Sequence, residues 1–284
     1  MKEILINLAK GLWIGGTLTV PGVSGGAMAM ILNIYDRLVR SLNSLFRRGG
    51  WKDKKDSLIF LITVGGGGLA GFVLFSRLVG MLLDAFPVHV CFLFAGAVAG
   101  GIPAVLSAAK ISRVKALDLL FVIAGAGVVS LIALIPDGLF APENASGFGG
   151  AVIQMIGGFV VAFGLVLPGI SMSQMLYVFG IYESIIDCVS TLNILPLIPF
   201  GIGGVVGTLA TSFGVEKLMT RFPRQSYLMI FGFLLGSIPQ MFTGMSVKGT
   251  SALDWILFAL LLSLGAFLVF GMFLLEKKGK AMSQ

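Results

Sequence analysis

Two short polar segments break long apolar stretches of this chain, and each has the residue types of an anion site. The first reads PGVSGG from Pro21, and the second reads PGISMSQ from Pro168. Proline ends a helix because its ring clashes with the preceding turn and it lacks an amide hydrogen. Serine often begins the next helix, whose free amides favour an anion. Each segment therefore predicts a helix break at which N–H groups and hydroxyls hold an anion, and phosphate fits.

The candidate binding residues lie at the two breaks. They are Gly22, Val23, Ser24, Gly25 and Gly26 in the first, and Gly169, Ile170, Ser171, Met172, Ser173 and Gln174 in the second. The alternative interpretation is that both breaks are only kinks or tight helix packing. Their repetition in the two halves of the chain favours a site, because paired broken segments indicate the binding site of a transporter.

A second set of residues has the chemistry of a gate or of ion coupling. It comprises Tyr35, Asp36, Tyr182, Glu183 and Arg77. A continuous helix from Ser24 to Asp36 would rise about 18 Å, so we expect the two acids near the membrane interfaces, with the tyrosines as anchors. Arg77 either snorkels to the interface or attracts an anion there. We predict no catalytic residue, no metal ligand and no cofactor.

The composition identifies a polytopic membrane protein. Hydrophobic residues make up 57% of the 284 positions and charged residues only 12%, whereas soluble domains average about 25% charged. The net charge of +7 does not indicate nucleic acid binding, because the basic residues cluster in a few connections. By the positive-inside rule, clusters around 37–55, 110–115, 217–224 and 277–280 lie in the cytoplasm.

The hydropathy pattern predicts six spans and two re-entrant hairpins. The spans are 58–83, 88–109, 116–136, 195–214, 226–245 and 253–275, and the hairpins are about 4–36 and 151–189. Both ends of the first hairpin carry basic residues, and both ends of the second lie beside acidic connections. Each hairpin therefore enters the membrane, turns at its break and leaves by the same face.

The two halves resemble each other in sequence. Residues 20–36 match 167–183, and further matches follow, such as GGGGLAG from Gly65 with GIGGVVG from Gly201. Each half holds one hairpin and three spans, an odd number of crossings, which inverts the second half. The predicted fold is all-α, with a first repeat at 1–136, an outer linker at 137–150 and an inverted second repeat at 151–284. The glycine clusters predict close helix contact.

The paired motifs resemble the bacterial polyprenyl-phosphate (undecaprenyl phosphate) translocase family over essentially the whole chain. The matching residues are Pro21, Gly22, Ser24, Gly25, Gly26, Tyr35 and Asp36, then Pro168, Gly169, Ser171, Tyr182 and Glu183. Two positions depart from the family pattern: Ala27 replaces a threonine, and Asn33 replaces a glycine. Gly180 occupies the place that matches Asn33 in the second half.

The resemblance implies a flippase that returns undecaprenyl phosphate from the outer to the inner leaflet for cell-envelope synthesis. Its partners would be this lipid and the surrounding membrane lipids, and a homo-oligomer is left open. It would lie in the bacterial inner membrane, with both termini in the cytoplasm. Two alternatives remain open: a polyprenyl pyrophosphate phosphatase and a carrier of a small soluble anion. Against the phosphatase, the two helix breaks lack the arginine of the PGxSRSG pattern found in such enzymes.

Overall fold

The computed structural model is helical throughout the residues it describes. These are 2–18, 24–47, 50–109, 115–136, 147–182, 195–243 and 251–281, with Gly138, Ile185, Cys188 and Met245; the side chains at 2, 147–148, 173–174, 196 and 275–281 lie outside the description. The helices are α1 Lys2–Thr17, α2 Gly25–Ile31, α3 Tyr35–Phe46, α4 Trp51–Ala85, α5 Pro87–Ala108, α6 Ala116–Ala133, α7 Gly147–Val166, α8 Met172–Val178, α9 Ile198–Arg221, α10 Pro223–Gln240 and α11 Ala252–Ala281, with a 3₁₀ turn at Leu195–Leu197. The predicted all-α class is confirmed.

Six of the described helices are long and apolar enough to cross a membrane. They are α4, α5, α6, residues Gly149–Val166 of α7, α9, and residues Ala252–Leu274 of α11. The set differs from the predicted spans, because it includes α7 and omits α10. Arg224, Gln225 and Gln240 lower the hydropathy of α10. The chain is therefore a multi-pass membrane protein, as predicted.

The same sharp turn occurs twice, each time between two consecutive helices. Phe86 alone separates α4 from α5, with φ −139° and ψ 54°, and Phe222 alone separates α9 from α10, with φ −131° and ψ 59°. A proline follows each phenylalanine as the first residue of the next helix, where the missing amide hydrogen costs nothing. The turns are equivalent in sequence as well as in geometry.

Helices α1 and α4 pack closely and run parallel. A Cβ built on Gly67 would lie 2.4 Å from the carbonyl oxygen of Leu8, and one on Gly71 would lie 2.0 Å from that of Leu12. The residue numbers rise together along both helices, which gives the direction. Only glycine lets the two backbones approach this closely.

Helices α7 and α9 repeat this packing in the second half of the chain. A Cβ on Gly203 would lie 1.9 Å from the carbonyl oxygen of Met155, and one on Gly207 would lie 2.5 Å from that of Phe159. These are the positions that the sequence repeat pairs with the contacts of α1 and α4. The prediction that the glycine clusters mediate close helix contact is confirmed.

The remaining long helices pair across the two halves, α5 with α11 and α6 with α10. In both pairs a Cβ on glycine would lie 2.0–2.9 Å from a facing carbonyl oxygen. The contacts join Gly96 to Leu262 and Gly100 to Ala266, then Gly232 to Val122 and Gly236 to Ala126. Both pairs are parallel, because the residue numbers again rise together.

The parallel pairs constrain the path of the chain. Since α1 and α4 run in the same direction, the segment between them, which contains α2 and α3, returns to the end where α1 begins. The segment between α7 and α9 makes the corresponding return. Such returns are what the predicted hairpins require, and their depth in the membrane stays a prediction.

Three ion pairs gather basic residues from separate parts of the chain at one end of the helix bundle, which we call the basic end. They join Arg37 to Glu3, Arg47 to Glu216 at 3.0 Å, and Arg224 to Asp118 at 2.5 Å. The starts of α1, α6 and α10, the end of α9, and helix α3 therefore lie near one another. Arg37, Arg47 and Arg224, which belong to the charge clusters around 37–55 and 217–224, share this end.

Candidate functional site

The first helix break lies where the sequence predicts it. Helix α1 ends at Thr17, and Ser24 precedes α2 with an extended backbone, φ −92° and ψ 136°. Pro21, Gly22 and Val23 lie outside the described residues. Ser24 is the N-cap residue, as expected, but its side chain forms no capping hydrogen bond.

The hydroxyl of Ser24 is the most informative atom of this break. The residue is only 4% exposed, and its Oγ has no hydrogen-bond partner among the described residues. Burying a hydroxyl without a partner costs free energy, and buried polar atoms are rarely left in this state. A hydroxyl in this state is free to donate a hydrogen bond to an acceptor outside the described residues.

The second break also lies where the sequence predicts it. Helix α7 ends at Val166 and α8 starts at Met172. Between them Gly169 has φ +83°, and a Cβ there would lie 2.6 Å from the carbonyl oxygen of Phe233. Ile170 is buried, at 3% exposure. Only glycine tolerates both the left-handed backbone and this contact with α10.

The other predicted residues of the second break are less enclosed. Ser171 is partly exposed and has an interaction partner, and Met172 is exposed at 39%. Ser173 and Gln174 belong to α8, and their side chains lie outside the described residues.

The two breaks meet. A Cβ built on Gly26 would lie 3.2 Å from both the Cα and the nitrogen of Pro168, and 3.2 Å from the carbonyl oxygen of Val166. Gly26 and Pro168 are both buried, and Gly25 packs against Leu18. We call this junction the tip contact.

Helices α2 and α8 end with the same turn. Ile34 donates its N–H to Ala29 at 2.9 Å, and Asn33 donates to Met30 at 2.9 Å, with φ +56° at Asn33. This is a Schellman motif, in which asparagine tolerates the left-handed conformation better than most residues.

The second helix has the equivalent bonds. Ile181 donates to Leu176 at 3.1 Å and Gly180 donates to Tyr177 at 2.9 Å, with φ +63° at Gly180. Asn33 thus occupies a glycine position of the turn, and the departure from the family pattern keeps the same backbone.

The Schellman turn corrects one expectation. A continuous helix from Ser24 to Asp36 is wrong, because α2 ends at Ile31 and α3 begins at Tyr35. Interface anchoring by Tyr35 is also wrong. Tyr35 is 2% exposed, and its hydroxyl donates to the carbonyl oxygen of Val166 at 2.8 Å. It packs beside the tip contact.

The remaining gate candidates are spread over the molecule. Asp36 is half-buried and accepts a hydrogen bond from the hydroxyl of Tyr227 at 2.6 Å. Tyr182 is half-buried and its ring stacks on that of Tyr177, with centroids 4.1 Å apart. Glu183 lies outside the described residues. Arg77 is exposed on α4. No interaction among the described residues connects it to the tip contact.

Sequence reasoning missed a polar cluster between α3 and α9. Asn43 is fully buried; its amide donates to the carbonyl oxygen of Ser212 at 3.1 Å and to Glu216 at 2.5 Å, and it accepts from the Ser212 hydroxyl at 2.6 Å. The sequence feature that could have indicated this cluster is Glu216, a single acid beside the basic residues at 217–224. The cluster joins the two halves at the basic end.

The chemistry of the tip contact is that of binding. It offers a buried hydroxyl and the first N–H groups of α2, which have no helical acceptor. Among the described residues no group of three or more His, Cys, Asp or Glu side chains could hold a metal ion.

Comparison with known proteins identifies relatives across most of the chain. A family model described as undecaprenyl phosphate translocase-like matches residues 14–254. A polyprenyl-phosphate transporter of Vibrio cholerae is 29% identical over 247 residues, which cover 83% of this chain and 77% of the relative. A polyprenyl-phosphate transporter of Staphylococcus aureus is 31% identical over 252 residues, 84% of this chain and 87% of the relative. No solved structure matches this chain.

Proposed function

Because the chain belongs to the undecaprenyl phosphate translocase-like family, we propose that it carries a polyprenyl phosphate across the bacterial inner membrane. The lipid would be bound at the outer leaflet and released to the inner leaflet, which returns the spent carrier to envelope synthesis. The relatives named as polyprenyl-phosphate transporters support this choice of substrate.

One observation carries the proposal beyond the family. The tip contact brings the two breaks together beside a buried hydroxyl, that of Ser24, which lacks a hydrogen-bond partner among the described residues. A phosphate oxygen at this position would accept that hydroxyl's hydrogen. The remaining oxygens would bond backbone N–H groups at the start of α2 and in the second break.

The donors act locally in this proposal. Helices α2 and α8 have only seven residues each. The favourable effect of a helix terminus falls off within the first turn, so we assign anion binding to individual N–H and hydroxyl groups. The two segments that meet in the tip contact, residues 24–31 and 166–172, are called the tips, and they contain no Lys or Arg. A site without a bound cation holds phosphate less tightly, which suits release as well as capture.

The inverted-repeat architecture is part of the proposal. Repeats at 1–136 and 151–284 are supported by contacts that recur at equivalent positions and by the paired Phe–Pro turns. The parallel pairs support two re-entrant hairpins, and the basic end supports cytoplasmic termini through the positive-inside rule.

The mechanism follows from the cost of burying charge. An isolated phosphate in hydrocarbon would cost on the order of tens of kcal/mol in the Born limit. The tips would replace its hydration while the isoprenoid tail stays in lipid. Rocking of one half against the other would then expose the tips to each face in turn.

The test uses purified protein in liposomes with labelled undecaprenyl phosphate or its pyrophosphate, and it follows both leaflet exchange and phosphate release. We expect exchange without release. Phosphate release from the pyrophosphate would instead identify a phosphatase. Uptake of a soluble anion without lipid exchange would identify an anion carrier.

A further inference from the structure

A polar cavity lies between the two halves, outside the two helix breaks. Its volume is about 520 Å³, within the range of ordinary ligand pockets. It opens at the basic end, between α3, the end of α5, the end of α9 and the start of α10. Its polar lining comprises Asp36, Arg40, Glu216, Thr220, Arg224 and Tyr227.

The carboxylates of this cavity are already engaged. Asp36 accepts the hydroxyl hydrogen of Tyr227 at 2.6 Å. Glu216 accepts hydrogen bonds from Asn43 at 2.5 Å and from Arg47 at 3.0 Å. Neither acid bonds Arg40.

The two guanidinium groups differ. Arg224 donates from Nε at 2.8 Å and from a terminal nitrogen at 2.5 Å to Asp118, which stands behind the cavity. Arg40 has no hydrogen bond or carboxylate partner among the described residues. A guanidinium presents several donors in a plane that matches phosphate. Among the described residues, Arg40 is therefore the cation of this lining that no carboxylate contacts directly.

Two consecutive residues link the cavity to the tip contact along the chain. Tyr35 bonds Val166 beside the tip contact, and Asp36 lines the cavity. The cavity and the tip contact are therefore joined at the start of α3.

We propose that this cavity binds a phosphate group through Arg40, as a second anion site separate from the tips. The ligand is a phosphate monoester head group or free inorganic phosphate, which offer the same oxygens. The role of the site for the lipid head group, as the position reached after the tips, rests on the proposed function. Binding of free phosphate does not.

The test compares wild type with Arg40→Gln and Arg40→Lys. Arg221→Gln is the matched control, because it removes one positive charge from the same end but does not line the cavity. Calorimetry on purified protein in nanodiscs would measure binding of inorganic phosphate and, separately, of a short-chain prenyl monophosphate. Thermal unfolding without ligand shows whether each variant is folded.

Arg40→Gln removes a charge-assisted hydrogen bond. We therefore expect it to weaken binding of inorganic phosphate, of the prenyl monophosphate, or of both by roughly 10-fold or more. Arg40→Lys should recover part of it, and Arg221→Gln should bind as wild type does. An effect on inorganic phosphate alone identifies a free-phosphate site, and an effect on the prenyl monophosphate identifies a head-group site. Equal binding of both ligands by wild type and a folded Arg40→Gln would overturn the proposal.

Leaflet exchange by the wild-type protein separates this proposal from the proposed function. If wild type exchanges the lipid and Arg40→Gln binds both phosphates normally, the second site is wrong and the function stands. If phosphate binding depends on Arg40 but no lipid exchange occurs, the second site stands and the function is wrong.

Discussion

The hydroxyl of Tyr35 donates a hydrogen bond to the carbonyl oxygen of Val166 at 2.8 Å, across 131 positions of sequence. Val166 is the last residue of α7, so this carbonyl has no partner within its own helix. The bond attaches the first half of the chain to the second break, beside the contact of Gly26 with Pro168. Tyr35 therefore positions the second tip.

Replacing Tyr35 with phenylalanine removes this bond and leaves a buried carbonyl unsatisfied. We expect a loss of about 1–3 kcal/mol in the free energy of unfolding and slower lipid exchange, because the tips are less well held. Denaturant unfolding and the liposome exchange assay measure the two effects.

Tyr182→Phe is the control for this change. Tyr182 stacks on Tyr177, and its hydroxyl forms no hydrogen bond with the described residues, so the variant should retain wild-type stability. A Tyr35→Phe protein as stable and as active as wild type would show that the bond positions nothing.

Ser24→Ala separates function from stability. Replacing an N-cap serine usually costs about 1 kcal/mol, but this side chain makes no capping bond and its hydroxyl is buried without a partner. We expect unchanged or slightly higher stability, and lipid exchange that is slower by roughly 10-fold, since a hydrogen bond to a charged ligand is lost.

Ser263→Ala, on the exposed surface of α11, removes a hydroxyl that bonds only the carbonyl of Ala259 and should leave exchange unchanged. Full lipid exchange activity in Ser24→Ala would show that the Ser24 hydroxyl does not belong to the binding site.

Gly169→Ala should destabilise the protein strongly. The left-handed backbone, φ +83°, costs an alanine about 1–2 kcal/mol. Its Cβ would also lie 2.6 Å from the carbonyl oxygen of Phe233, so α10 must move. The thermal unfolding midpoint measures the loss.

Gly65→Ala gives the opposite expectation. Gly65 lies within α4 and a Cβ there would meet no atom within 4 Å, so alanine should stabilise the helix by about 0.5–1 kcal/mol. Equal midpoints for the two variants would contradict the argument from backbone and space.

Asp118→Asn tests the largely buried ion pair of the basic end. The side chains of Asp118 and Arg224 are 8% and 27% exposed, and Asp118 also accepts the backbone N–H of Lys115 at the start of α6. Removing the carboxylate charge leaves the guanidinium without its counter-charge, so the thermal unfolding midpoint should fall.

Glu3→Gln breaks the matching exposed pair with Arg37. Both side chains are about half exposed or more, so water and salt screen them, and the midpoint should scarcely move. If the thermal unfolding midpoint fell less for Asp118→Asn than for Glu3→Gln, burial would not determine how much each ion pair stabilises the protein.

The helix breaks and the close helix contacts were predictable because they depend on residue type. The breaks between α1 and α2 and between α7 and α8 lie where the sequence predicts, and the clusters at Gly67 and Gly203 mediate backbone contact. The end of α2 at Ile31 was missed, because an asparagine at position 33 indicates a left-handed turn less clearly than the glycine at position 180.

By itself, the sequence determined the all-α membrane class, the two breaks and their correspondence between halves, since hydropathy, proline and glycine act through local chemistry. Only the tertiary structure decided that Gly26 touches Pro168, that Tyr35 bonds Val166, and that Asp36 and Arg40 face a cavity shared with α9 and α10. These relationships join residues more than a hundred positions apart. They depend on which elements pack against each other, and no local pattern of residues specifies that choice of partner.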